Sequence, residues 1–154
     1  MSREPGPAEA VALVDQIEDL AHKADLLADI AKRYRTAGQV EKALPLYQQV
    51  LDLAETQQDP ALQGATLTEL GKIYRVMRQP EKALAAYAQA LTLATEADNP
   101  RLRALVLLEM GKTYRDLQQH DQALARYQEA QRLAQPLADA SLESEILIER
   151  AAIY

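Results

Sequence analysis

The sequence predicts an all-α fold, a solenoid of antiparallel helix pairs, and three observations carry that reading. Tyr34, Tyr74, Tyr114 and Tyr154 stand 40 residues apart. The segments around them recur with them: KRYR at 32–35 returns as KIYR at 72–75 and KTYR at 112–115. A second segment, EKALPLYQQVLDLA at 41–54, returns as EKALAAYAQALTLA at 81–94 and DQALARYQEAQRLA at 121–134. A chain that repeats at a fixed period of this size is an array of one supersecondary unit.

The elements follow in chain order. Residues 1–7, with Pro5, Gly6 and Pro7, read as a disordered leader. From Ala8 the pattern is helical, and the spacing predicts helices near 8–18, 20–36, 40–56, 60–77, 80–97, 100–117, 120–136 and 140–154. The first two can also be read as one continuous helix, because Leu20, Ala24, Leu27 and Ala31 carry the apolar stripe through Asp19. In the middle unit Leu67, Leu70, Gly71 and Tyr74 fall at i, i+3, i+4 and i+7, one face of a helix. Ala83, Leu84, Tyr87, Ala90, Leu91 and Ala94 form a second stripe. The short VMRQP link between them makes the two helices antiparallel neighbours. Asp59-Pro60 and Asn99-Pro100 each place a capping side chain before a proline that lacks the N–H left unpaired at a helix start. Asp19 and Asp139 hold the equivalent places, and Pro80 opens the second helix of the middle unit. Pro45 sits about one turn into a helix, where it removes a donor and bends the start slightly. The organisation is thus a leader at 1–7, an N-terminal capping helix at 8–23, and an array at 24–154, with repeats near 24–60, 61–100 and 101–140 and a partial one at 141–154.

Composition narrows the function. The balance of 48% hydrophobic and 26% charged residues is globular. Aromatics reach only 5%, all tyrosine, so the core is built from Leu, Ala and Ile. A net charge of −6 argues against a nucleic-acid binder, which needs a basic surface. With no cysteine, disulfides, thiolate zinc sites and thiol nucleophiles are excluded. No apolar run reaches membrane-spanning length, and MSREPGPAEA has no signal-peptide core. The expectation is a soluble cytoplasmic protein that is not an enzyme. His22 and His120 are the only histidines and read as surface residues, and neither a phosphate loop nor a paired-histidine metal motif is present. No cofactor is expected.

The units resemble tetratricopeptide repeats, whose signature sets a large apolar residue, then Leu-Gly or Leu-Ala, then Tyr on the first helix, with Ala-x3-aromatic on the second. Here these are Leu27, Ile30, Ala31 and Tyr34 with Ala43 and Tyr47; Leu67, Leu70, Gly71 and Tyr74 with Ala83 and Tyr87; and Leu107, Met110, Gly111 and Tyr114 with Ala123 and Tyr127. A fourth unit begins at Leu147, Ala151 and Tyr154. The period exceeds the family's usual length of about 34. In this the chain resembles the long-repeat branch of Leu-Gly-Asn repeat proteins and kinesin light chains. The resemblance implies a right-handed superhelix whose first helices line a concave groove that binds a protein or peptide. Gly71 and Gly111 remove a side chain where the paired helices cross, and the tyrosines fill the gap with their hydroxyls reaching toward water.

One polar pattern stands out. Lys32, Lys72 and Lys112 recur at one position of the first helix, and Arg35, Arg75 and Arg115 at another, three residues on. Two readings stay open. In one, the cations are a solvated ladder paired with Asp29, Glu69 and Glu109, each three residues before a lysine. In the other they attract an acidic peptide, favoured by the arginines, which have no acid three or four residues before them. Leu105 and Leu108 make the C-terminal end of the groove more apolar and are candidate anchors, or else pack on the next repeat. The carboxylate clamp of chaperone adaptors is absent, since its places hold Ala28, Lys32, Glu69, Leu105 and Glu109. On the last helix Leu142, Ile146, Leu147, Ile148 and Ile153 lack a partner helix. The expectations are that the chain is a fragment of a longer array, that Ile146 and Ile148 pair in a homodimer, or that the helix packs well enough alone.

Overall fold

The structure, a computed structural model, describes residues 6–153. Most of the expected leader and Tyr154 of the partial repeat lie outside the described residues. The elements are α1 (Pro7–Val14), α2 (Leu20–Thr36), α3 (Val40–Thr56), α4 (Pro60–Val76), α5 (Pro80–Glu96), α6 (Pro100–Asp116), α7 (His120–Ala134), a single 3-10 turn at Gln135–Leu137, and α8 (Ala140–Ala151). No strand occurs among the described residues. The chain forms a right-handed α-solenoid in which α2, α4 and α6 each pack most extensively on the helix that follows, α3, α5 and α7.

Local chemistry sets the helix ends. The side chains of Asp19, Asp59, Asn99 and Asp139 each accept a hydrogen bond from the backbone N–H three residues on, all at 3.1 Å. Giving a hydrogen-bond acceptor to one of the four N–H groups that a helix start leaves unpaired is worth about 1 kcal/mol. The cap on Asp19 requires an extended backbone (φ −72°, ψ 109°), so the apolar stripe does not continue through it. The segment expected as one cap at 8–23 is therefore divided by a turn at 15–19. Pro7, expected in the leader, opens α1. Pro136 has no N–H to continue α7, which closes at Ala134. Pro45 is carried inside α3 without interrupting it.

Every inter-helix turn from Gly38 onward uses a left-handed residue. These are Gly38, Gln58, Arg78, Asp98, Gln118 and Ala138, with φ between 50° and 79°. In the first five, the next residue's N–H reaches back over the turn, as in Gln79 N–H to the Tyr74 carbonyl at 2.8 Å. This satisfies carbonyls left unpaired at the helix end.

The core is two clusters that share Leu51 and Tyr74, one centred on α2–α4 and the other on α5–α8. Tyr87 and Tyr127 are fully buried, and their rings fill the space a side chain would need at Gly71 and Gly111. Contrary to expectation, their hydroxyls do not reach water. They are enclosed because each ring packs over a glycine of the paired helix. Burial pushes the Tyr127 hydroxyl up to about 12 and raises that of Tyr87 further.

Candidate functional site

The first helices of successive repeats lie side by side, α4 against α6 and α6 against α8. Their shared face carries the lysine and arginine ladder, and the structure shows what those cations meet. Arg35 ion-pairs with Glu69 of the next repeat at 2.9 Å, and Lys72 with the same carboxylate at 3.3 Å. Arg75 donates from Nε to Asp116 at 2.5 Å. Lys112 sits between Glu109 at 3.2 Å and Glu145 at 2.8 Å. Arg115 pairs with Glu149. Lys32 is exposed and makes no ion pair among the described residues.

Each arginine thus finds its acid on the following repeat. Counting three or four residues along one helix could not reveal this. For Arg35 and Arg115 the signal was nonetheless in the sequence, since Glu69 and Glu149 belong to a series with the same 40-residue period as the arginines; Arg75 instead meets Asp116, which has no counterpart in the other repeats. Burial pushes the Lys112 ammonium down, but the hydrogen bond to Glu145 and the charges of Glu109 and Glu145 outweigh it, and the net shift is upward. Arg75 shows the same balance, with Asp116 overcoming burial. At half-exposed positions such pairs contribute up to about 1 kcal/mol each. The face is a mosaic of paired charges rather than a bare cationic strip.

Leu108 is only 1% exposed and belongs to the core, so it is not on the ligand-accessible surface. Leu105 is half-buried against the same cluster. Ile146 is likewise fully buried, facing back into the array, whereas Ile148 is 67% exposed.

A hollow of about 990 Å³ opens between α4, α6 and α8. It is lined by Lys72, Arg75 and Lys112 of the ladder and by Glu109, Asp116 and Glu145. Val76, Arg78, Pro80 and Leu117, at the turns that follow α4 and α6, complete the wall. These four were missed because they stand outside the helical stripes. Val76 alone carried a hint, since Thr36 and Asp116 hold the same place in the other repeats. Among the described residues there is no cluster of His, Asp and Glu able to hold a metal ion. No described helix is long and apolar enough to cross a membrane.

The tetratricopeptide repeat model matches residues 62–154 and a second model of that repeat matches 26–61. The chain belongs to the tetratricopeptide repeat family. Its repeats make it a protein-interaction module. Among solved structures it is similar to BtubC (BKLC) from P. vanneervenii, at 20% identity and a TM-score of 0.82 over 96% of this chain and 62% of that one. It is similar to aspartyl phosphate phosphatase F from Bacillus subtilis, at 18% identity and a TM-score of 0.85 over 96% of this chain and 39% of that one. The apo form of RapI matches at 14% identity and a TM-score of 0.83, over 96% and 43%. At these identities the likeness shows the fold, and the chain spans less than two thirds of each neighbour's length. No curated protein sequence matches the chain.

Proposed function

We propose that the face built by α2, α4, α6 and α8 is a binding groove for a peptide or partner helix, acidic in character with apolar anchors. The observation that carries this is the hollow between α4, α6 and α8, where cations share one wall with the exposed Val76 and the part-buried Pro80 and Leu117. The apolar contacts come from Val76, Pro80 and Leu117 rather than from Leu108, which is enclosed in the core. A ligand carboxylate competes there with Glu109, Asp116 and Glu145 for the ladder cations. The expected affinity is therefore modest and sensitive to salt. No catalytic role is assigned.

The test is fluorescence anisotropy with a labelled peptide in which glutamates flank a Leu-Phe pair. Affinity is expected to fall as ionic strength rises, because the Debye length shrinks from about 30 Å at 0.01 M to about 8 Å at 0.15 M. Affinity that is indifferent to salt counts against the ladder as part of the site.

A second reading, self-association through α8, is favoured by one observation. Leu147 is 49% exposed, while Leu27, Leu67 and Leu107 at the same repeat position are 0%, 6% and 0% exposed. In that reading Leu147 and Ile148 face a second copy. A dimer in sedimentation equilibrium that Ile148→Glu abolishes supports it, and a monomer at high concentration removes it.

A further inference from the structure

The ladder cations that line the hollow are already engaged: Lys72 by Glu69, Arg75 by Asp116, and Lys112 by Glu109 and Glu145. Arg78 lines the same hollow, is exposed, and has no ion pair or side-chain hydrogen bond among the described residues. It is the wall's cation with no acid of its own.

The fold does not ask for an arginine there. Arg78 occupies the left-handed turn position, φ 59°, that Gly38, Gln58, Asp98, Gln118 and Ala138 fill elsewhere. The six left-handed turn positions carry four residue types besides Arg, namely Gly, Gln, Asp and Ala, so what the position requires is a backbone conformation. Glycine meets that requirement best, since a Cβ in the left-handed region is disfavoured. A strained residue that keeps a long charged side chain beside a cavity points to a role outside folding. The turn also fixes the Arg78 backbone. Its N–H donates to the Arg75 carbonyl at 3.1 Å, and Gln79 donates to that of Tyr74 at 2.8 Å. Pro80 starts α5 immediately after. Two residues before Arg78, Val76 is 65% exposed. Val76, Pro80 and Leu117 therefore place apolar surface beside the guanidinium.

We propose that Arg78 is the residue that reads the ligand's carboxylate in this hollow, and that the ligand segment it selects is a Glu or Asp next to an aliphatic or aromatic side chain seated on Val76, Pro80 and Leu117. This rests on the groove reading given above. A guanidinium grips a carboxylate through two parallel N–H···O bonds. An acid bound at Arg78 displaces no internal ion pair, whereas one bound at Arg75 or Lys112 must do so.

The test uses the labelled glutamate-flanked Leu-Phe peptide at low salt, with Arg78→Gly, Arg78→Gln, Arg78→Lys and, as control, Gln118→Gly. Arg78→Gly and Arg78→Gln are expected to raise Kd about tenfold, Arg78→Lys less, and Gln118→Gly not at all. Both glycine variants relieve the same turn and are expected to melt at or a few degrees above the parent (about 2–4 °C). Loss of binding in Arg78→Gly is thus separated from loss of fold. If Arg78→Gly and Arg78→Gln bind the peptide as tightly as the parent, the role of Arg78 is overturned and the groove reading survives. If the parent itself fails to bind the peptide, the groove reading falls and this inference with it.

Discussion

Gly71→Ala tests the contact that sets the spacing of each helix pair. A Cβ placed on Gly71 would lie 2.3 Å from Cε1 of Tyr87 and 2.7 Å from Cδ1 and Cζ. Carbon atoms in contact sit about 3.5–4.0 Å apart, so the methyl intrudes by more than an ångström. Tyr87 is fully buried, so its ring has no free space to turn into. Either the ring leaves its rotamer or α5 shifts away from α4. Overpacking costs about 1–3 kcal/mol, and an intrusion this deep into a buried ring belongs at the upper end, about 2–3 kcal/mol. Alanine recovers about 1 kcal/mol of helix propensity. The net expectation is a loss of about 1–2 kcal/mol, or roughly 2–8 °C in the thermal midpoint for a domain of this size. Gly111→Ala should behave alike, since its Cβ would meet Tyr127 at the same 2.3 Å. The first repeat shows a different solution, with Ala31 opposite Tyr47 and both buried. The assay is thermal and urea unfolding by circular dichroism for Gly71→Ala, Tyr87→Ala and the double variant. With the ring gone the methyl has room, so Gly71→Ala should no longer destabilise in the Tyr87→Ala background, a coupling of about 1–3 kcal/mol. If Gly71→Ala is as stable as the parent, or if the two changes add, the ring does not set the helix spacing.

Other expectations concern the core, the turns and the caps. Tyr127→Phe removes a buried hydroxyl that has no hydrogen-bond partner among the described residues and should stabilise by about 1 kcal/mol. The same hydroxyl, pushed up to about 12 from an ordinary 10.0, keeps its proton in the folded chain after the unfolded chain has lost it. Stability should therefore fall as pH rises above about 10, by up to about 2–3 kcal/mol for this group. Urea titrations across that range should give a shallower loss in Tyr127→Phe, with Lys112 still contributing because its raised ammonium loses its advantage in the same direction. Ala138→Gly, at a left-handed residue with φ 53°, should raise the urea midpoint by an amount equivalent to about 0.5–1 kcal/mol, and a lowered midpoint would contradict the strain assigned to these turns. Asp59→Ala removes the cap on α4 and should cost about 1 kcal/mol in the same measurement, whereas an unchanged midpoint would mean the bond to Leu62 is dispensable.

The fold was legible because its determinants are local and periodic. Tyr34, Tyr74 and Tyr114 with Gly71 and Gly111 mark the first helices. Asp59-Pro60 and Asn99-Pro100 mark starts that the structure places at those residues. The break before α2 could be read two ways, as a start capped by Asp19 or as an apolar stripe running through it, and the structure has the capped start at Asp19. The site was less legible because its contacts run between repeats. Arg75 meets Asp116 across 41 residues and Arg115 meets Glu149 across 34. Such pairs depend on how neighbouring repeats are rotated, which no single helix encodes. Leu108, open to reading as a groove anchor or as packing on the next repeat, is buried, and so is Ile146, which read as a self-association residue. Val76, Arg78, Pro80 and Leu117 are brought together by two turns that carry no motif.

The most direct measurement is an amide chemical-shift map of the protein with the labelled acidic peptide. The perturbed amides are expected to cluster on the wall of the hollow, at Lys72, Val76, Arg78, Lys112 and Leu117, and the perturbations to weaken together as salt is added. Perturbations confined to the second helices α3, α5 and α7, or to the exposed end of α8 around Leu147 and Ile148, would contradict that expectation.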